Sequence, residues 1–409
     1  MTRTIWLALV GVAGAFTGAN GRESASRNAT VAAHRPLTVA QGGLRRWGRG
    51  GSPSRGGAPG SGGSGGAPGS GGNGGASAAG GSAAGGGGSA TGTGGAGTSA
   101  VGGLFEQPEP WTKDVSGLAK DARSDAIIGA LKSLGGWGNG NRLQIDFSLP
   151  FFTADITTPR RTVTGPTGGG YCFDGPDCDP VPLQMPFPSY GNMEGSSTYT
   201  CDVSNGDCHV LVAERTQKKL YELYNATQTG SHMTALVAIV WDLTKAYPPG
   251  MRGEQCTSAD AAGFPIAGLL PTADEVAAGQ VNHAIRFILP NARMKARVYV
   301  HPAGHAGGPS STNADAPPYG VRFRLKASFD ETPYNAGQRV ILRALKTYGM
   351  LLSDGGNIAL TFADDRTTVA KWSSLGITAQ SFNSIGVDNF EVVDLSPDIR
   401  STQDCVRNP

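Results

Sequence analysis

Short runs in which apolar and polar side chains alternate recur along the chain after residue 140. Period two is the signature of a strand with one buried face. In 143–149, Leu143, Ile145, Phe147 and Leu149 alternate with Gln144, Asp146 and Ser148. Strands are also predicted over 209–215 and 219–224, and the turn-like residues between them make a hairpin. Residues 236–243 are apolar on both faces, as in a central strand. Runs at 281–289, 296–301, 319–329, 357–362 and 390–395 complete the set.

Apolar spacing of three and four marks two helices. In 117–134, Ile127, Ile128, Leu131 and Leu134 share one face, Lys120, Asp121, Arg123 and Lys132 face solvent, and Gly135 and Gly136 end the run. In 336–348 the stripe is Val340, Ile341, Ala344, Leu345 and Tyr348. Asn335 and Gln338 fit a capping box there, and Gly349 fits the C′ position. Leu351 and Leu352, the polar turn at 353–356 and the strand from Asn357 predict a second hairpin. Residues 157–200 are predicted irregular, because Pro180, Pro182, Pro186 and Pro188 discourage strand pairing. Many short strands, long Gly/Pro loops and few helices predict a mainly β fold. The expected architecture is an antiparallel β-sandwich of jelly-roll type with one or two peripheral helices. No strand–helix–strand repeat argues for a parallel sheet.

Composition divides the chain. Glycine makes up 63 of 409 residues and is concentrated before residue 104. Residues 1–20 read as a signal peptide, with Arg3 ahead of the apolar run Ile5–Phe16 and small residues after it. Residues 21–103 read as a Gly/Ser/Ala-rich linker, too poor in apolar side chains to offset the entropy of ordering. Residues 104–409 are then a single β-sandwich domain, large enough for a substantial core. A secreted or periplasmic monomer is expected. A net charge of +2 gives no basis for a nucleic-acid or membrane-surface partner, and the N-terminal apolar run is short for membrane insertion.

The six cysteines fit an oxidising compartment. Cys172 and Cys178, and likewise Cys201 and Cys208, flank turn-forming residues, so each pair is expected to close a small loop. Cys256 and Cys405 remain, a pairing that would tie the C-terminal tail to the body. No C-x-x-C favours zinc. The Asp-rich loops at 174–179 and 202–207 offer oxygens for a structural calcium, but neither has the spacing of a helix-loop-helix site. No other cofactor is expected.

Four runs, at 209–227, 256–266, 274–287 and 318–357, resemble an uncharacterised family of secreted bacterial β-rich proteins, over about residues 200–365. The resemblance implies a secreted single domain and no particular reaction, so the chemistry rests on the residues. If the later strands are neighbours, parity places Arg286, Arg297, Tyr299, His301, Arg322, Arg324 and Lys326 on one face. That face reads either as a solvated exterior or as a groove for an anionic or hydroxyl-rich polymer. His283 sits among apolar neighbours, as a core histidine does. Glu222 and Asp242 lie on otherwise apolar strand faces, where carboxyl pKa values rise. They are the candidate acid/base pair that glycoside hydrolysis requires. The bland reading has Asp242 bonding backbone at a strand end and Glu222 paired with Arg. Asp260 fits a cap on a short helix at 259–263, and Asp274 and Glu275 fit a helix start or a cleft wall. His301 and His305 lack an evident third ligand, so no metal is assigned. No nucleophile elbow, H-E-x-x-H, P-loop or dinucleotide fingerprint occurs.

The leading expectation is a secreted glycoside hydrolase acting on a polysaccharide. Glu222 and Asp242 would be catalytic, with His283, Arg286, Tyr299, His301, Arg322 and Arg324 binding sugar. The alternatives are a lyase on uronate polymers, using Tyr299 or His301 for proton transfer, and a non-catalytic glycan- or wall-binding protein.

Overall fold

The computed structural model describes residues 103–174 and 177–408. The expected signal peptide at 1–20, and the expected linker at 21–103 apart from Gly103, lie outside them. Sixteen strands run through the described chain: β1 (Ile145–Leu149), β2 (Phe151–Ala154), β3 (Arg160–Thr164), β4 (Leu183–Pro186), β5 (Val210–Glu214), β6 (Lys219–Thr229), β7 (His232–Asp242), β8 (Gly253–Glu254), β9 (Ile285–Leu289), β10 (Val298–Tyr299), β11 (Arg322–Leu325), β12 (Met350–Gly355), β13 (Leu360–Ala363), β14 (Phe390–Val393), β15 (Ile399–Arg400) and β16 (Val406–Arg407). The helices are α1 (Ser124–Ser133), a four-residue turn α2 (Gly138–Asn141), α3 (Ala273–Ala277) and α4 (Ala336–Thr347).

Two six-stranded sheets hold the fold. Sheet I has the order β1-β13-β9-β12-β11-β14, and sheet II the order β2-β5-β6-β7-β3-β4. The protein is sheet-rich as expected, but both sheets are mixed. Parallel pairs β1–β13, β9–β12, β2–β5 and β3–β7 depart from the antiparallel jelly roll that strand length and loop composition suggest. Parallel neighbours need long crossovers. Here every crossover carries further strands: β3 and β4 lie between β2 and β5, β4 to β6 between β3 and β7, β2 to β12 between β1 and β13, and β10, β11 and α4 between β9 and β12.

The predicted hairpin around 353–356 does not form. β13 pairs with β9 and β1, and β9 lies between β12 and β13. The region 157–200, expected to be irregular, supplies β3 and β4. Pro186 is tolerated there because β4 is the outer strand of its sheet. By contrast, β5 and β6 form the expected hairpin, and α4 carries its capping box, with Asn335 Oδ1 accepting from Gln338 N at 2.9 Å. Gly349 adopts φ 73 just past that helix.

The apolar core draws Leu220, Ile239 and Trp241 from sheet II and Ile285, Phe287 and Phe323 from sheet I. A second cluster, with Phe152, Val163, Met185, Val212 and Leu223, packs elsewhere on sheet II. Strands β6 and β7 therefore feed two cores, and β7 has the doubly apolar pattern that this requires. Buried Trp137 sets its ring edge against Phe287 and Phe390, with centroids 6.3 and 5.4 Å away.

The disulfides are Cys172–Cys178, Cys201–Cys208 and Cys256–Cys405, the pairing that spacing suggested. They are compatible with an extracellular location. Among the described residues, no helix is long and apolar enough to cross a membrane.

Candidate functional site

Three strands of sheet I share one sequence pattern, a polar residue between two large apolar ones: Ile145-Asp146-Phe147 on β1, Leu360-Thr361-Phe362 on β13 and Ile285-Arg286-Phe287 on β9. Pairing puts them in one row. Asp146 registers with Thr361, and antiparallel pairing of Leu360 with Phe287 puts Thr361 beside Arg286. Side chains in register share a face, so the three middle residues line up across the sheet.

A bulge brings in a fourth. Leu352 registers with Phe287 and Asp354 with Ile288, so Ser353 is the extra residue. That insertion reverses the alternation of β12 and turns Asp354 onto the face of Arg286. The loop 256–264 closes over the same place. Ser258 Oγ accepts from Asp260 N at 2.9 Å and donates to Phe264 O at 2.6 Å, and Ala262 N donates to Ser353 O at 2.9 Å. This loop is not the short helix that Asp260 was expected to cap. Its fold points the Asp260 carboxyl at Arg286 instead.

Arg286 is the hub. Its Nε donates to Asp260 Oδ1 at 2.9 Å, Nη1 to Thr361 Oγ1 at 2.9 Å and Nη2 to Asp354 Oδ2 at 2.9 Å. Nη2 also lies 2.8 Å from Asp260 Oδ1. One guanidinium nitrogen thus joins two carboxyl groups whose surroundings differ. Asp260 has no solvent exposure, and its Oδ2 has no hydrogen-bond partner. Asp354 is partly exposed. Burial pushes the Asp260 carboxyl up to about 8; Arg286 opposes this, and Asp354 and Glu222 add to it. Burial thus favours the protonated form of Asp260 against the pull of Arg286, and one of its oxygens is unused. Burial alone would weaken the charge on Arg286, but Asp260 and Asp354 outweigh it and hold the guanidinium protonated.

A second pair adjoins the first. His209 Nδ1 lies 2.6 Å from Glu194 Oε2, and His209 Nε2 lies 3.1 Å from Ala259 O, one residue before Asp260. Both ring nitrogens face acceptors, the arrangement of an imidazolium. Burial lowers the His209 pKa, but Glu194 overcomes that and lifts it to about 9. Burial likewise raises Glu194, and His209 brings it down to about 2. Ser148 Oγ donates to Glu194 Oε1 at 3.0 Å. The Tyr224 ring lies 5.2 Å from His209, and its pKa is pushed up to about 12 by burial and by Asp207, Asp354 and Glu194. Half-buried Asp146 is raised by burial and by Glu194. These partly exposed groups flank the buried acid.

Stability should follow these shifts. Glu194, depressed in the fold, contributes stability that is present above its unfolded value, near pH 4.5, and lost as pH falls towards about 2. His209, raised in the fold, contributes stability that is full below pH 6.5 and lost as pH rises through about 9. The raised carboxyls of Asp260 and Glu222 act in the same direction: their contribution is full below their unfolded values of 3.8 and 4.5 and is lost as pH rises through about 8 and about 7. We expect the thermal midpoint to peak at about pH 4 to 4.5, where the loss of Glu194 on the acid side meets these losses, and to decline from there towards pH 9. A midpoint that is flat or rising from pH 6.5 to 9 would contradict these assignments.

The candidate residues read from sequence disperse. Glu222 registers with Ile239 and Asp242 with Lys219, three positions apart along β6, so the two carboxylates lie on opposite faces of sheet II. Glu222 is fully buried and accepts from Trp241 Nε1 at 2.9 Å and Ala267 N at 2.8 Å. Burial raises it to about 7. Asp242 meets Lys219 Nζ at 2.6 Å and caps its turn through Thr244; these bonds overcome the effect of burial and lower it to about 2.

Arg286, Leu351 and Arg322 do occupy one row across β9, β12 and β11. However, Arg322 and Arg324 are buried beneath the N-terminal segment. Arg322 donates to Pro110 O at 2.6 Å and Tyr348 O at 2.9 Å, and Arg324 to the carbonyls of Val115, Ser116 and Leu118 and to Glu391. Their end of the face is a covered joint, neither a solvated exterior nor a groove. Tyr299 and His301 converge instead on Glu254, at 2.5 and 2.6 Å, beside the small sheet of β10 and β15. His283 faces Glu275 in the wall of a cavity. His305 Nδ1 bonds Ala261 O at 2.8 Å.

In the loops considered for calcium, three carboxylates are engaged by the protein itself: Asp177 by Thr257 N, Asp179 by Arg252, and Asp202 by Ser204 and Asn205. Among the described residues, the three potential ligands that approach one another are Cys172, Asp177 and Cys178, and their two sulfurs form a disulfide. His209, Glu194, Asp146, Thr361 and Asp354 were missed from sequence, although three of the site's strands carry the same apolar-polar-apolar triplet. No family model, curated protein or solved structure matches the chain.

Proposed function

We propose that the chain is a secreted glycoside hydrolase acting on a polysaccharide, with Asp260 as proton donor and Asp354 as the carboxylate that meets the sugar. The observation that carries this reading is the pair of unlike carboxyl groups on one Arg286 nitrogen. Glycoside hydrolysis needs one carboxyl that holds a proton at working pH and one that does not. Two oxygens that share a hydrogen-bond donor are close enough for the separation of about 5–5.5 Å used by retaining enzymes. Asp260 is closed to solvent beneath the loop 256–264, so this reading requires that loop to shift before the carboxyl meets a glycosidic oxygen, with substrate entering from the side where Asp354, Asp146 and Glu194 are partly exposed. The acid/base work moves here from Glu222 and Asp242, which face opposite ways. No cofactor enters a two-carboxylate mechanism.

The test is incubation of the secreted chain with a panel of neutral and acidic polysaccharides, reading reducing ends and ultraviolet absorbance together. Reducing ends without absorbance, abolished by Asp354→Asn, are expected. Absorbance from an unsaturated product would replace the hydrolase with a lyase. Saturable capture on insoluble glycan with no released sugar would replace it with a binding protein.

A further inference from the structure

We propose a second saccharide site, selective for a uronate unit, in the cavity lined by Arg215, Tyr190, Phe151, Glu275 and His283. The cavity holds about 400 Å³, room for about one or two sugar rings. It is distinct from the Arg286 centre, and three features in its lining each lack a partner of the kind that a sugar acid supplies.

The first is a cation. Arg215 follows β5 and is exposed, and its guanidinium has no hydrogen-bond or ion-pair partner among the described residues. Asp274 also lines the cavity, but its two oxygens accept from Val369 N at 3.2 Å and Ala370 N at 2.7 Å. A free guanidinium recognises a carboxylate through two parallel hydrogen bonds.

The second is a buried acceptor. Glu275 Oε2 takes the amide and hydroxyl of Thr272 at 2.8 and 2.7 Å, closing the capping box of α3. Glu275 Oε1 has no hydrogen-bond partner, although the residue is buried. His283 Nε2 lies 3.3 Å from it, a long ion-pair contact that leaves an acceptor direction open. The ring cannot swing to improve this, because Nδ1 is held on Ala284 O at 2.8 Å. An unsatisfied buried oxygen in a cavity wall is an acceptor for a ligand hydroxyl.

The third is an aromatic ring. Tyr190 is 64% exposed, the single aromatic residue among the exposed large hydrophobic side chains of the described residues. It is steadied by the edge of Phe152, 6.0 Å between centroids. An exposed ring held in place offers a flat apolar platform with a polar tip, suited to the apolar face of a pyranose. Carboxylate, hydroxyl and apolar ring face together describe a hexuronate.

The experiment is calorimetric titration of the full chain with a galacturonic acid trimer and, separately, a neutral xylose trimer. Saturable binding of the acidic trimer is expected, with the neutral trimer at least about tenfold weaker. Arg215→Met and Tyr190→Ala should each weaken the acidic trimer by about tenfold or more, and Arg215→Lys should restore part of the loss. Both substitutions are at the surface, so far-ultraviolet circular dichroism should match the parent chain. Parent-like affinity in the Arg215→Met, Tyr190→Ala double variant would locate the ligand at the Arg286 centre and overturn the second site. No binding, equal affinity for both trimers, or an unchanged affinity in Arg215→Met would also overturn it. Because binding is read without turnover, the result is independent of whether the chain hydrolyses glycans.

Discussion

Asp260→Asn is expected to lower hydrolysis by about 10²–10⁴-fold, the usual contribution of a positioned general acid, while leaving the fold intact. The amide keeps an oxygen for Arg286 and places its nitrogen at the position of the unpartnered Oδ2. It cannot release a proton to a leaving oxygen. Because burial pushes the Asp260 carboxyl up to about 8, the neutral amide resembles the form that burial favours. The charge balance with Arg286 and Asp354 therefore changes little. In the parent chain, activity should fall as pH rises through about 8, where the acid is lost. A folded Asp260→Asn chain with full activity would remove Asp260 from the mechanism. An unfolded one would be uninformative by itself, so Asp354→Asn, at a partly exposed side chain, provides the second arm.

Cys256→Ser combined with Cys405→Ser is expected to cost about 5 kcal/mol, from the entropy of closing a loop of this length. The bond spans 149 residues, against 6 for Cys172–Cys178 and 7 for Cys201–Cys208. The same relation gives about 2 kcal/mol for Cys172–Cys178. The native tail has other anchors: β16 on β8, Arg407 on Asp179 at 3.1 Å and Asn408 N on Arg252 O at 2.8 Å. It also needs Gly253, with φ 141, because a Cβ there would sit 1.9 Å from Val406 O. A typical domain is stable by about 5–15 kcal/mol, so the loss would be a large share of the total. Denaturant unfolding measures it. A loss below about 1 kcal/mol would mean that the unfolded chain is already constrained, or that the tail contributes little. Cys256 begins the loop that carries Asp260, so this substitution should also reduce hydrolysis, whereas loss of Cys172–Cys178 should affect it less.

What could be read from the sequence was local. Strand-like runs located β1, β5, β6 and β14 within a few residues, a doubly apolar run located β7, and α4 came with its caps, because these depend on neighbours along the chain. Strand neighbours were not legible. β12 and β13 looked like a hairpin because a polar turn joins them, yet β9 inserts between the two, which local spacing cannot reveal. The error at the site has the same origin. Parity grouped Arg286 with Arg322 and Arg324, and register bears out the row of Arg286 and Arg322, but nothing local says that residues 110–118 lie over the arginines of β11. Glu222 and Asp242 were singled out as carboxylates in apolar strands, and the intervening register that turns them apart was invisible. Asp354 was hidden because residues 353–356 read as a polar turn, whereas they continue β12 through the bulge at Ser353.

The covered end of sheet I has a mechanical meaning. Residues 106–121 are fastened at many points: Glu106 N to Leu243 O, Val115 N to Thr347 O, Asp121 N to Val392 O and Trp111 O to Ala284 N, besides the carbonyls gripped by Arg322 and Arg324. Tension applied at Gly103 meets these bonds one after another, first at sheet II through Leu243 and then at sheet I. Its load path runs into β9 and β11, the strands that also carry Arg286 and Arg322. A domain pulled from its N-terminal end would hold its arginine row in register until the clamps ahead of β11 had been released in turn.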